Sequence, residues 1–364
     1  MKLHSLVAAV ALLLSVAAAA GDGDVRYFYT EASTLTMVGK MFPDTPNPYQ
    51  RIDTDKYKGL TEAETTRMHL SSGIAIVFRT DSRSITVLTE FGTTLNHLNT
   101  NRISLKGYDL YIRDAKGKWL WAGAAINASG KEDQPLLVIG GMDGSMHECM
   151  LYLPLYSEEK SVRIGVEEGS VIESIPNPFR HRVCVFGSSF THGACASRPG
   201  MSYPAQLARM TGIQMLGMGC DGRSKLQTGF ADAFADADVD AFLFDAFSNP
   251  SPEEIRERLF PFIERIQAAH PGKPLIFQRT IYREKRNFDT QADAVQRERI
   301  QVADSMMAIA VKRYKDVYYI RPNATSKSHE SSVDGIHPGD YGYTLWAESI
   351  KNPVKRILSR YKLR

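Results

Sequence analysis

Five short apolar runs in the second half of this sequence constrain its fold more than any other feature: residues 183–186, 213–217, 240–245, 274–278 and 317–320. Each is four to six residues long, too short for an ordinary helix and long enough for a buried strand. Between them lie stretches with apolar residues at helical spacing. Tyr203 to Met210 is one, with Gly212 placed to close it. Ser251-Pro-Glu-Glu254 opens another with a serine cap, a proline at the first position and a glutamate at the third, the capping-box arrangement. Ile255, Leu259, Phe262, Ile263 and Ile266 then give that helix a single apolar face. Asp289 to Lys312 and Tyr341 to Leu358 are two more helical stretches. Alternation of this kind predicts a three-layer α/β/α domain over residues 179–364, with five parallel strands covered by helices on both faces.

The first run ends in Gly187-Ser-Ser189. A serine at the carboxyl end of the first strand of such a sheet sits where these sheets place their ligands. A helix starting just after it aims free backbone N–H groups at the same spot. Gly-Ser-Ser by itself is equally a plain turn. Near the other end of the chain, Asp334-Gly-Ile-His337 puts a carboxylate and an imidazole three residues apart, just ahead of the last helix. Serine, histidine and aspartate together are what an activated hydroxyl nucleophile requires.

From about residue 24 to 175 the pattern is different. Residues 74–78, 84–88, 108–112, 136–139, 150–153 and 162–166 alternate or run apolar, as strands do. Turn signals separate them at Asp81-Ser82, Asp114 to Gly117, Asn127 to Gly130 and Asp143-Gly144, and no long helical stretch interrupts them. This predicts an all-β sandwich or jelly roll over residues 21–178. Pro176-Asn-Pro178 then supplies a stiff junction.

Composition bounds the partners. The 364 residues are 43% hydrophobic and 23% charged, enough to bury two cores, and the net charge of +3 is too small and too evenly spread to argue for nucleic acid. Residues 1–20 carry Lys2, an apolar stretch from Leu6 to Val16 and small residues at Ala18 to Ala20, the pattern of a cleaved secretory signal. The expected location is therefore secreted or periplasmic, without stable membrane insertion. Of the four cysteines, Cys184 falls inside the first strand and reads as a buried thiol. Cys195 and Cys220 fall in loops near the candidate site, where a bridge between them and two free thiols both fit. No cysteine or histidine spacing matches a zinc site, His147-Glu-Cys149 included.

Gly187-Ser-Ser189-Phe-Thr-His-Gly193, the glycine-rich turn at Gly217 to Gly222, Asn249 after the third strand and Asp334-x-x-His337 fall in the order of the four blocks of the SGNH (GDSL-type) hydrolases, which this chain resembles. Gly107-Tyr-Asp-Leu-Tyr111 resembles the Gly-x-Asp-Leu-Tyr motif of a secreted bacterial subgroup with an N-terminal β-domain. The resemblance implies an esterase with Ser189 as nucleophile, His337 as general base and Asp334 orienting it. It implies an oxyanion held by the Ser189 N–H, the Asn249 amide and a second-block N–H. That block's glycine aligns with Cys220, so Cys220, Gly219 or Gly222 is the expected donor. Ser188 stands where the family name has aspartate. His192 reads as a pocket residue or a surface turn residue, and Arg198 as a substrate contact or half of an ion pair. Asp221 reads as a turn cap, Tyr108 and Tyr111 as sandwich core or sugar platform, and Asn249 equally as a turn asparagine before Pro250. The implied substrate is a small-molecule or glycan ester, with short acyl groups favoured and O-acetyl foremost, and no metal or organic cofactor is implied. Thioesterase and lysophospholipase readings keep the same machinery; a vestigial hydrolase with a glycan-binding β-domain does not.

Overall fold

The computed structural model describes residues 25–126 and 134–363. The expected export signal and the turn expected at Asn127 to Gly130 lie outside the described residues.

The first part of the chain forms strands β1 (Tyr27–Glu31), β2 (Thr36–Val38), β3 (Ala75–Thr80), β4 (Ile85–Thr94), β5 (Tyr108–Arg113), β6 (Trp119–Ala125), β7 (Leu136–Ile139), β8 (His147–Tyr152), β9 (Ser157–Glu167) and β10 (Ile172–Ser174). Two sheets result, ordered β1-β9-β4-β7 and β10-β3-β8-β5-β6, with β2 beside β3; all the pairings are antiparallel. Ile76, Phe78, Val87, Leu110, Leu151 and Ile164 fill the space between them. The alternate residues Ala75, Val77, Tyr111 and Met150 face the other way, into a second apolar cluster shared with Ala205 of the α/β half. Burial on both faces explains why β3 reads Ala-Ile-Val-Phe without polar alternation.

Sequence reading missed two helices here, α1 (Glu62–His69) and α2 (Arg102–Lys106). The start of α1 was written in the chain: Thr61 and Glu64 form a reciprocal capping box, with Glu64 accepting from the Thr61 N–H at 2.8 Å. Its weak amphipathicity hid it, since only Glu64 and Met68 are buried.

After residue 179 come β11 (Arg180–Gly187), α3 (Ser189–His192), α4 (Tyr203–Thr211), β12 (Ile213–Gly219), α5 (Thr228–Ala235), β13 (Ala241–Asp245), α6 (Pro252–Ala269), β14 (Leu275–Gln278), α7 (Thr290–Arg313), β15 (Val317–Ile320) and α8 (Asp340–Ser359). The strands form one parallel sheet ordered β12-β11-β13-β14-β15. Period-two side chains split it cleanly. Cys184, Phe186, Phe242, Phe244 and Phe277 join the α5, α6 and α7 side. Val183, Val185, Leu243 and Ile276 join the α4 and α8 side. The capping box at Ser251 forms as its sequence predicts, and Gly212 ends α4 at φ +71°. No helix among the described residues is long and apolar enough to cross a membrane.

The strand order reverses direction between β12 and β13, on either side of β11. Loops leaving the carboxyl ends of β11 and its neighbours diverge there, opening the crevice such sheets use.

Candidate active site

Ser189 is the first residue of α3, immediately beyond β11. Ser188 caps that turn: its Oγ accepts from the Phe190 N–H at 3.2 Å and donates to Asp245 Oδ2 at 2.5 Å. The Ser188 N–H reaches the same carboxylate oxygen at 3.1 Å. Asp245 ends β13 and is fully buried; burial raises its pKa above the usual carboxylate value, and the hydrogen bonds from Ser188 and Ser248 oppose that rise. Serine rather than aspartate at 188 therefore has a reason: the neighbouring strand already supplies the carboxylate. Gly187 is required beside it, because a Cβ there would lie 2.1 Å from Thr191 Oγ1. The Ser189 N–H, at the first position of the helix, makes no hydrogen bond within the described chain.

The loop before α8 folds on itself. Asp334 Oδ1 accepts from the N–H groups of Ile336 (2.9 Å) and His337 (2.7 Å), and Gly335 between them sits at φ +80°. This local turn brings Asp334 Oδ2 to 2.8 Å from His337 Nδ1, and His337 Nε2 to 2.9 Å from Ser189 Oγ. Three groups predicted from opposite ends of the domain thus form one hydrogen-bonded chain. Burial would raise the Asp334 pKa, but hydrogen bonds from His337, Asn99 and Ile336 outweigh it and hold the carboxyl down to about 2. Asp334 is therefore a carboxylate at neutral pH, able to fix the imidazole tautomer and stabilise an imidazolium. Phe190 packs edge-on against the His337 ring, with centroids 5.5 Å apart. Ser189 is 6% exposed, so little of it meets solvent.

Asn249 lies four residues beyond β13. Its side chain makes no hydrogen bond within the described chain, and its Oδ1 is shielded from solvent without a partner. The Nδ2 group is thereby left uncommitted, as a donor to an oxyanion would have to be.

The second-block expectation needs correcting. The Cys220 N–H donates to the Gly187 carbonyl at 2.8 Å, so it is committed within the fold and is not a free oxyanion donor. Gly219 is a glycine for packing, since a Cβ there would sit 2.2 Å from the His192 backbone nitrogen. Its carbonyl accepts from Arg51 Nη1 at 2.8 Å and faces His192 Nδ1 at 3.0 Å. Gly222, at φ +67°, has a backbone N–H with no partner in the described chain.

His192 is neither a pocket residue nor a surface one. It is fully buried, its ring nitrogens facing the carbonyls of Gly219 and Leu155 (2.6 Å), and it stacks on Tyr156. Burial and the nearby Arg51 push its pKa down to about 3. Arg198 is half of an ion pair with Asp109, at 2.8 Å. Asp221 makes no capping hydrogen bond among the described residues; its carboxylate faces His97 Nε2 at 3.1 Å. Tyr108 and Tyr111 are core residues. All four cysteines are free thiols, and the Cys195 Sγ donates to the Asn99 carbonyl at 3.2 Å.

Two residues that support the site, Asn99 and Arg51, had no signal in the sequence, and a third, Asp109, stood in a motif that did not reveal its role. Asn99, from a β-domain loop, donates through Nδ2 to Asp334 Oδ2 at 2.6 Å. Arg51, fully buried, spends its guanidinium on the carbonyls of Arg67, Leu70, Gly217 and Gly219, bracing the second block. Asp109, in the Gly-x-Asp-Leu-Tyr segment, accepts from Arg198, Trp121 Nε1 (3.1 Å) and the Gly200 N–H (2.8 Å) and so ties the β-domain to the loop after α3. Each depends on a contact across the two halves, which local pattern cannot reveal.

Cys195, Asp334 and His337 bring their ligand-type atoms within 4.8 Å of one another. They fit a metal poorly. Burial pushes the Cys195 thiol up to about 12, whereas metal binding needs a thiolate, and the His337 Nδ1 already faces Asp334.

Residues 180–355 match the GDSL-like lipase/acylhydrolase family, and residues 25–172 match the N-terminus of SGNH-hydrolase-type esterases. Among solved structures, a GDSL-like lipase from Bacteroides ovatus is 35% identical, with a TM-score of 0.87 over 92% of this chain and 98% of that one. A salicylyl-acyltransferase from a tetracycline biosynthetic pathway is 18% identical, with a TM-score of 0.74 over 93% and 99% of the two chains. A family two carbohydrate esterase from Cellvibrio japonicus is 11% identical, with a TM-score of 0.57 over 92% and 98%. The last two share the fold. No curated protein sequence matches this one. The motif order, the sheet and the 35% identical relative agree: this chain belongs to the GDSL-like lipase/acylhydrolase (SGNH) family and is an ester-bond hydrolase.

Proposed function

We propose that this chain is an exported serine esterase that removes short acyl groups, acetyl foremost, from carbohydrate. The observation that carries the reading is the 2.9 Å approach of Ser189 Oγ to His337 Nε2, with Asp334 behind the imidazole. His337 takes the serine proton as Ser189 Oγ attacks the ester carbonyl. The tetrahedral oxyanion forms beside the unpartnered Ser189 N–H, with the Asn249 amide as a second donor. His337 returns the proton to the leaving alcohol, and water repeats the sequence to free the acid.

Two further observations support the narrower part. Little of Ser189 meets solvent, which favours a small acyl group. The carbohydrate esterase from Cellvibrio japonicus covers nearly the whole chain with the same fold. The N-terminal pattern supports export. The unbroken hydrogen-bonded chain through Ser189, His337 and Asp334 weighs against a vestigial hydrolase.

The test is hydrolysis of p-nitrophenyl acetate and octanoate and release of acetate from acetylated xylo-oligosaccharide, by wild type and Ser189→Ala. Acetate should be turned over faster than octanoate, and Ser189→Ala should lose nearly all activity. A variant as active as wild type ends the esterase mechanism; activity confined to octanoate ends the short-acyl reading.

A further inference from the structure

Two arginines beside the active site lack the partners buried arginines ordinarily have. Arg283 lies on the loop after β14 and Arg299 on α7; among the described residues neither makes a direct ion pair with a carboxylate. Both donate to the Ser248 carbonyl, at 2.5 and 3.5 Å, and both Nε atoms are shielded from solvent without a partner. Between them the Gln296 amide, turned so that its oxygen faces the guanidiniums, accepts from Arg283 Nη1 (3.3 Å) and Arg299 Nη1 (3.1 Å). Burial, and then the like charge of Arg299, pull the Arg283 pKa down to about 10. Arg51 shows the contrast: fully buried, it spends its guanidinium on four backbone carbonyls. Asp245 and Asp334 favour the Arg283 charge, and Glu254 that of Arg299, only at longer range, so an anion placed beside Arg283 would give it the direct partner it lacks.

The space for one exists. A cavity of about 310 Å³ lies on the Arg283 side of the pair, lined by Arg283, Lys285, Arg286, Asp289, Gln296 and Ile336 among others; Arg299 stands behind Gln296, outside the lining. The Lys285 ammonium has no partner among the described residues, while Arg286 is neutralised by Asp293 at 2.7 Å. The one carboxylate in the lining, Asp289, is committed to capping α7, accepting from the Ala292 N–H at 2.8 Å. The cavity is thus lined by net positive charge.

Its position says which part of the substrate enters. Ile336 forms one wall and is the neighbour of His337, the group that must hand its proton to the leaving alcohol. The Arg283 guanidinium lies over the Phe190 ring at 5.5 Å, and that ring packs on His337. A wall next to the proton donor favours the alcohol side of the ester over the acyl side.

We propose that this cavity is a specificity pocket for a carboxylate carried by the alcohol part of the ester, so that the preferred substrate is an acylated uronic-acid glycan. The proposal rests on the glycan-esterase reading above and narrows it.

The test compares an O-acetylated oligouronate with the same glycan after reduction of its carboxylates, using wild type and Lys285→Glu. Arg283→Gln is the more direct variant, but it also releases the Ser248 carbonyl and so threatens the fold; Lys285 is exposed. Wild type should favour the carboxylate form in kcat/KM by about tenfold at low salt, an advantage that shrinks as ionic strength rises. Lys285→Glu should cut that ratio about fivefold or more. A ratio near one in wild type, or one unmoved by the variant, overturns the pocket while the glycan-esterase reading stands. An advantage gained instead by a hemisuccinate ester of a neutral sugar places the carboxylate on the acyl side and also overturns it. Failure on both glycans alongside turnover of p-nitrophenyl acetate removes the glycan reading, and the pocket with it.

Discussion

Asn99 Nδ2 lies 2.6 Å from Asp334 Oδ2, so the β-domain supplies a hydrogen bond to the carboxylate that orients the base. Asn99→Ala should lower kcat by roughly 5–30-fold, the kinetic equivalent of about 1–2 kcal/mol, with KM little changed. A loss confined to KM would mean that the loop only contacts substrate.

The same bond links stability to pH. Asp334 has a folded pKa of about 2, below its unfolded value of about 3.9, so its contribution is full above about pH 4 and is lost as pH falls through about 2. The Asn99 hydrogen bond is one cause of that depression. The difference in unfolding free energy between wild type and Asn99→Ala should therefore be constant above about pH 5 and should shrink towards pH 2, as read by urea titration at each pH.

Asn249→Ala should reduce kcat by about 10²–10³-fold, the usual cost of one lost oxyanion donor, without a comparable loss of stability. Its side chain makes no hydrogen bond within the described chain, so little folding energy is at stake. Paired stopped-time assays and thermal melts separate the two effects. A fall in Tm with unaltered kcat would mark Asn249 as a turn residue only.

Ser188→Asp restores the residue of the family's familiar motif and should nevertheless destabilise the protein, by about 2–4 kcal/mol at neutral pH. It would set a second carboxylate against buried Asp245, whose oxygen is already within 2.5 Å of Ser188 Oγ. Because one of the pair would have a raised pKa in the fold, the deficit should shrink as pH falls and a shared proton returns. Thermal melts between pH 4 and 8 would show it.

Arg198→Met should cost about 3–5 kcal/mol, because it strands the Asp109 carboxylate, which is fully buried. Arg198→Met with Asp109→Asn should cost less than the sum of the two single changes, since the pair shares one interaction. Urea unfolding of the four proteins completes that cycle.

Much of this molecule was already determined by local order. All five parallel strands were legible from apolar runs, because a strand covered on both faces cannot hide among polar residues. The Asp334-to-His337 turn closes on itself within four residues, so its spacing carried its geometry, and Ser251 to Glu254 wrote its own cap. What local order left undecided were the relations between remote segments. The Cys220 N–H bonds Gly187 because two parallel strands end in register there. His192 is buried because the β-domain covers it. Asn99, Arg51 and Asp109 act only through contacts made when the two halves meet, and the pairing of such groups depends on distances set by packing, which only the folded chain decides.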